Sequence, residues 1–296
     1  MIGLLVPGGR GQLGHDLVAS APLDGLVHAP SSAELDLTDG SVVADAVASF
    51  AWSARDGGLK PVVVNAAAYT AVDAAEADEE RALAVNALGP ELLAAACREH
   101  NVPLIHLSTD YVFPGDADRP YEPDDETGPR SAYGRTKLEG ERRVLRTWER
   151  SWVVRTAWAY GASGANFVKT IARLAGERET LSVVDDQRGS PTWSLDLAEG
   201  LVSLACLAVR GGPAARVLHA TGGGETTWCG FARAILVELG EDPERVRPCG
   251  TEDFPRPAPR PAYSVLSNAS WVAAGLRPLR PWREALSAAF ASRAVP

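Results

Sequence analysis

The sequence is poor in the features that organise disulfide scaffolds, membrane spans and nucleic-acid surfaces. Only four of its 296 residues are cysteine: Cys97, Cys206, Cys229 and Cys249. None stands in a Cys-x-x-Cys pair and no histidine cluster joins them. A disulfide framework or a cysteine-held metal is therefore excluded as the organising feature, and no metal is expected. Scattered thiols read as reduced thiols, which makes the cytoplasm the expected compartment. No run reaches the roughly 18 consecutive apolar residues of a bilayer-spanning helix. The opening stretch, residues 1–6, is apolar but lacks a basic flank, and it reads as a strand rather than a signal peptide. Positive charge is also scarce: Lys and Arg number 29 against 38 Asp and Glu, a net charge of −9. Nucleic acid and anionic membrane need a basic face, so neither is an expected partner. One small anionic ligand remains possible, because a helix N-terminus binds phosphate even on an acidic protein.

What is present is ordinary globular material, 46% hydrophobic and 23% charged. The length permits one large domain or two modest ones. Short apolar runs at 2–6, 25–29, 61–65, 102–108, 152–155, 181–184 and 216–219 read as strands. Helical patterns separate them, notably over 77–99 and 130–148. Unalternated apolar strands between helices imply a parallel sheet buried on both faces. The expected fold is therefore α/β, a doubly wound parallel Rossmann-type sheet with a smaller C-terminal substrate-binding lobe. Residues 1–155 are assigned to the dinucleotide-binding domain, to which 181–220 return. Residues 156–180 and 221–296 are assigned to the lobe. Pro248, Pro255, Pro257, Pro259 and Pro261 bar helix or central strand there and mark a connector, or a rigid segment closing over a ligand.

Three local patterns carry chemistry. Gly8-Gly9-Arg10-Gly11-Gln12-Leu13-Gly14 follows the first strand and opens a helix. Gly8, Gly11 and Gly14 suit a tight turn against a pyrophosphate, with the helix N-terminus supplying free N–H groups. A strict NAD site places an acid at the end of the second strand. None stands in Leu26-Val27-His28-Ala29, and Arg10 is a candidate partner for a 2′-phosphate. NADPH is therefore the expected cofactor, with NADH also workable. Asp36-Leu37 is a candidate adenine clamp. In the second pattern, Tyr133 and Lys137 stand four residues apart, on one face of a helix. A phenol titrates near about 10, and a neighbouring ammonium lowers that toward working pH. The third is Thr109-Asp110 at the end of the fourth strand. Ligands bind at this edge in open α/β sheets, so Thr109 is placed to hydrogen-bond a carbonyl oxygen.

These residues, together with 65–73, 108–113, 155–161, 186–192 and 260–264, resemble the dTDP-4-dehydrorhamnose reductase family of the extended short-chain dehydrogenase/reductase superfamily. The matches run in order along nearly the whole chain. The resemblance implies reduction of the C4 ketone of dTDP-4-dehydro-L-rhamnose to dTDP-L-rhamnose. It implies Tyr133 as proton donor, Lys137 as its partner and ribose ligand, and Thr109 as donor to the carbonyl. It implies Gly11, Gln12 and Leu13 on the pyrophosphate, Asp36 and Leu37 on adenosine, and Ala66, Ala67 and Ala68 as the cofactor wall. Thr109, Asp110, Tyr133, Trp158, Asn166 and Arg260 are implied on the sugar nucleotide. Pro7, Ala157 and Ala159 depart from the family pattern, the last two beside the implied sugar contact Trp158. Some relatives dimerise through a magnesium held by glutamates; no such cluster can be placed here, and monomer and homodimer both stay open. Two other readings share the resemblance. One is another dTDP-4-keto-6-deoxyhexose 4-ketoreductase of a deoxysugar pathway. The other is a non-catalytic binding subunit like the regulatory subunit of methionine adenosyltransferase, against which Thr109, Tyr133 and Lys137 together speak.

Overall fold

The computed structural model describes residues 1–295. Its centre is a six-stranded parallel sheet of β1 (Ile2–Leu5), β2 (Val27–His28), β3 (Lys60–Asn65), β4 (Leu104–Thr109), β5 (Ser151–Thr156) and the strand Val217–His219. The spatial order is Val217–His219, β5, β4, β3, β1, β2. The chain steps outward from β1 to β2, then returns to the far side of β1 as β3. This reversal leaves a crevice beyond the carboxyl ends of β1 and β3, where open α/β sheets hold their ligands.

Burial on both faces explains the unbroken apolar strands. Leu4, Val62, Val64 and Ile105 point to one face, where they pack with Leu17, Leu197 and Leu201 of the helices Gln12–Ser20 and Ser194–Ala208. Leu5, Val63 and Leu104 point to the other, against Val47 and Leu93 of the helices Gly40–Asp56 and Gly89–Glu99. Each such side chain, fully buried, contributes roughly 1.5–3 kcal/mol.

A second core gathers the helices Phe167–Glu177, Trp228–Glu238 and Trp282–Ala291 through Ile171, Phe231, Ile235 and Leu286. Here one expectation is corrected. Residues 181–184 do not return to the main sheet; Leu181–Val184 pairs in parallel with Val246–Cys249. Leu181 and Val183 are buried while Ser182 is exposed, so this strand has one apolar side, and that side faces the second core. Pro248 is tolerated because a two-stranded pair has free edges.

The helix expected over 77–99 runs unbroken from Glu79 to Glu99, as Glu79–Leu83, a π turn at Ala84–Leu88, and Gly89–Glu99; a separate short helix, Val72–Ala75, precedes it. Pro90 has no N–H to give, which accounts for a widened turn just before it. The helix expected over 130–148 is Ala132–Thr147, started by the Ser131 hydroxyl accepting from Gly134 N at 3.1 Å. The proline segment crosses back from the second core to the main sheet. Arg260 pairs with Asp73 at 2.9 Å, and Tyr263 N donates to Gly115 O at 3.0 Å. Among the described residues no helix is long and apolar enough to cross a membrane.

One charged pair lies inside this frame. Arg155 of β5 and Glu141 of the helix Ala132–Thr147 are 4% and 3% exposed and bond through both nitrogens, at 2.9 and 2.7 Å. Breaking such a pair from one side strands a charge and costs about 3–5 kcal/mol. We expect Arg155→Met to lose about that much in urea unfolding, and the Arg155→Met/Glu141→Leu double variant to lose less. Equal losses in both would contradict the stranded-charge account.

Candidate active site

The glycine loop is shaped by close backbone approach. Gly8 has φ 78°, and a Cβ there would lie 2.7 Å from the Ala67 nitrogen. Ala66 N donates to Pro7 O at 3.1 Å, and Gly11 N donates back to Gly8 O at 2.9 Å. Gly8 thus sits against Ala66 and Ala67 at the sheet reversal, with Ala68 next along the same half-buried stretch. Gly11 begins the helix Gln12–Ser20 with no side-chain cap on the first amides. Such a terminus is open to an anion, so the cradle fits a dinucleotide pyrophosphate. Gly14, buried, packs its backbone on Gly8 and Gly9. Leu13 is half-buried, on the edge of the core beneath the sheet. Gln12 Oε1 accepts from Asn166 Nδ2 at 3.3 Å.

At the adenosine end, Arg10 is exposed beside the end of β2, because Gly9 N donates to Pro30 O at 3.2 Å. Sequence reasoning found no acid there, yet Glu34 folds back onto Ser31 N at 2.7 Å. Its carboxyl is held below the usual range by the Ser31 backbone and side chain, with Arg10 and His28 adding to the effect. Glu34 was legible only by counting about 20 residues from the glycine helix, since it lies beyond the strand end. Asp36 accepts from Thr38 N at 2.9 Å, and Leu37 is a core residue against Gly89.

The chemistry-bearing side chains meet at the ends of β4 and β5. Thr109 and Thr156 are register partners there. The Thr109 hydroxyl donates to Asp110 Oδ1 at 2.9 Å and accepts from Tyr111 N at 3.2 Å. Asp110 is 2% exposed, and its Oδ2 is buried without a partner. Burial pushes its carboxyl up to about 6, against Ser264 and Thr109, which lower it. Tyr133 packs edge-on against Tyr111, with ring centroids 5.7 Å apart.

The expectation that Lys137 lowers the Tyr133 phenol is corrected. Burial pushes the phenol up to about 12, helped by the Asp110 charge and opposed by Thr109. Lys137 Nζ instead donates to Leu107 O at 2.6 Å, one turn along the helix. Burial brings the ammonium down to about 8, with Glu141 raising it. One N–H used leaves two for other acceptors.

The remaining residues expected on substrate fall in two groups. Trp158 lies two residues past Thr156, at φ 47°, and stacks on Trp228 with ring centroids 3.5 Å apart and planes 6° from parallel. That backbone conformation costs of order 1–3 kcal/mol for a bulky residue. Asn166 is taken up as a helix cap, its Oδ1 accepting from Lys169 N at 3.1 Å and its Nδ2 donating to Gly161 O at 2.8 Å. Arg260 is committed to Asp73 and to Ala258 O. One positioning residue was missed. Asn86, buried in the π turn, donates to Thr136 Oγ1 at 3.1 Å and accepts from Tyr69 N at 2.8 Å. A polar residue in an Ala/Leu run before Gly89-Pro90 was the available signal.

Fold and site together define a Rossmann-type dinucleotide-binding protein with a Tyr/Lys/Thr set at the carboxyl edge of its sheet. The chain belongs to the family of the RmlD substrate binding domain, whose profile matches residues 2–294. It is 48% identical over 297 residues to a dTDP-4-dehydrorhamnose reductase of Mycobacterium tuberculosis, covering 98% of this chain and 93% of that one. It is 46% identical to a dTDP-4-keto-6-deoxy-D-glucose reductase of Streptomyces niveus, covering 97% and 96%. The crystal structure of dTDP-4-dehydrorhamnose reductase from Bacillus anthracis in complex with NADP superposes with a TM-score of 0.91 at 32% identity, covering 99% and 100%.

Two predictions follow from this geometry. Gly8→Val places a branched side chain at positive φ against Ala67, and should weaken NADPH binding by at least about tenfold in a fluorescence titration. If Lys137 acts as an ammonium, kcat/KM should fall as pH rises through about 8, where Lys137 loses its proton. Tyr133, near 12, stays protonated throughout that range. A pH profile flat to 10 would contradict this reading.

Proposed function

We propose that the protein reduces the C4 ketone of dTDP-4-dehydro-L-rhamnose to dTDP-L-rhamnose with NADPH. The observation that carries this is Tyr133, Thr109 and Lys137 meeting at one sheet edge in a chain matched end to end by reductases. When bound, NADPH supplies the hydride that the sugar's C4 carbon takes up. The cradle from Gly8 to Gly14 holds its pyrophosphate, with Gln12 and Leu13 beside it and Ala66 to Ala68 as the wall. Arg10 faces the 2′-phosphate, and Asp36 and Leu37 lie toward adenosine.

Tyr133 gives its proton to the ketone oxygen. A donor must hold its proton until it is needed, and a phenol raised to about 12 does so at neutral pH. The tyrosinate left behind is a new anion in a buried site, and the Lys137 ammonium stabilises it with its free N–H groups. Solvent then returns the proton. Thr109 turns its hydroxyl from Asp110 to the carbonyl oxygen, where charge develops. Asp110 Oδ2, which makes no close hydrogen bond among the described residues although Ser264 lies near the carboxyl, accepts from a sugar hydroxyl. Trp158 lies along the sugar, and Arg260 reaches the diphosphate once it leaves Asp73. Asn166 acts through Gln12. The four free cysteines fit a reducing compartment, the cytoplasm.

A second reading rests on the Streptomyces niveus relative. The same acid–base set serves any dTDP-4-keto-6-deoxyhexose, and only contacts to ring hydroxyls distinguish them. Supplying both ketosugars separately with NADPH decides between them. We expect dTDP-L-rhamnose from the first at the higher kcat/KM, and no rhamnosyl product would overturn the reading. Tyr133→Phe should lower kcat by about 10²–10⁴-fold with little change in NADPH affinity.

A further inference from the structure

Trp228 has no part in the chemistry described above, yet it is tied to the site by an unusual contact. Its indole covers that of Trp158 at 3.5 Å between centroids and 6° between planes. Trp158 holds a backbone conformation that a bulky side chain rarely adopts, with φ 47°. Such a conformation persists only where the surroundings fix it. The fixing contacts are few. The Trp158 carbonyl accepts from Thr192 N at 3.2 Å, Gly189 packs its bare Cα against the indole, and Trp228 supplies the stack.

Trp228 is itself firmly mounted. It is the first residue of the helix Trp228–Glu238, whose cap Thr227 accepts from Gly230 N at 3.0 Å. Thr226 and Thr227 pair with Gly189 and Arg188, so the strand that leads into Trp228 is tied to the glycine that touches the Trp158 indole. Behind Trp228 stand Phe167 at 4.5 Å and, beyond it, Phe231, which leads into the second core. Both indoles are only half-buried. The stack is thus a support reaching from the second core to the carboxyl edge of the main sheet.

We propose that Trp228 is a positioning residue for substrate recognition: by stacking on Trp158 it holds that indole in the orientation the deoxysugar ring requires. This rests on the reading that Trp158 lies along the sugar. Trp228 therefore governs affinity for the nucleotide sugar, not the hydride and proton transfers at Tyr133.

The test uses the full chain with NADPH and dTDP-4-dehydro-L-rhamnose, in Trp228→Phe, Trp228→Ala and Trp158→Ala variants. Two stacked indoles couple in far-ultraviolet circular dichroism, so all three variants should lose the same exciton couplet. Trp228→Ala should raise the sugar KM by about tenfold, with kcat and the NADPH KM within about twofold of the parent. Trp228→Phe, which keeps an aromatic ring, should fall between, and it preserves the test if the alanine variant folds poorly. A raised sugar KM in Trp158→Ala with none in either Trp228 variant overturns the inference and leaves the sugar-facing reading of Trp158 intact. An unchanged sugar KM in Trp158→Ala removes that reading itself. A fall in kcat together with a rise in both KM values in Trp228→Phe means plain structural damage and also overturns the inference.

Discussion

The site depends on how closely the helix Ala132–Thr147 lies on its neighbours' backbone. A Cβ at Gly134 would collide with the Tyr111 carbonyl, and one at Gly140 with the carbonyl of Asn86. With glycine at both points the helix docks backbone to backbone, at the end of β4 and on the π turn. That docking puts Lys137 within 2.6 Å of Leu107 O inside the sheet edge, and sets Tyr133 against Tyr111, next to Thr109. Asn86 fastens the same helix through Thr136, and Glu141 fastens it through Arg155. A helix held at four points along its length has little freedom to carry its phenol away from the strand end. This is the precision acid–base chemistry needs, since a proton donor works only within hydrogen-bond reach of its acceptor.

Burial at the same place sets the charges. Tyr133, Lys137 and Asp110 all lie in the low-dielectric edge of the sheet, and each shifts toward its neutral form. For a reductase these shifts suit different tasks. On the proposed reading, Tyr133 keeps its proton until the ketone oxygen takes it. Lys137 still holds its charge at pH 7 but is poised to lose it about one unit higher. On that same reading, Lys137 acts on the phenol only after proton transfer, when a tyrosinate exists to be stabilised. One N–H of the ammonium goes to Leu107 O, and desolvation dominates the phenol.

Much of the fold was legible because it depends on short-range rules. The apolar strands read correctly as buried on both faces, and Leu4/Leu5 and Val62/Val63 show why: neighbours along a strand enter opposite cores. The glycine loop was legible because positive φ at Gly8 and close approach to Ala67 leave few other residues possible. What was not legible depended on distant partners. Leu181–Val184 has a strand's composition, but its pairing with Val246–Cys249 is set by the second core, which no local pattern specifies. The π turn inside the helix expected over 77–99 carries Asn86, whose partner Thr136 lies fifty residues away. The phenol's upward shift needed a burial value, which spacing alone does not carry.

The same distinction applies to the substrate side. Asn166 and Arg260 were assigned to the sugar nucleotide by resemblance, and both bond within the protein. Asn166 joins Gly161 O to Gln12 at the start of the glycine helix, a short path between the second core and the cofactor cradle. Arg260 joins the proline segment to Asp73 in the short helix Val72–Ala75 after β3, a path between the same two bodies on the other side of the site. Trp158 and Trp228 form a third. Each path ends on a residue expected to meet a ligand, and each begins in the second core. On the proposed reading, a ligand in the crevice meets the same residues that join the two bodies. A sugar nucleotide that draws Arg260 from Asp73 must replace a charge-assisted bond it has broken, and the natural replacement is its own diphosphate. On that same reading, selection for the nucleotide lies in this exchange, and selection for the sugar lies with the aromatic support across the crevice.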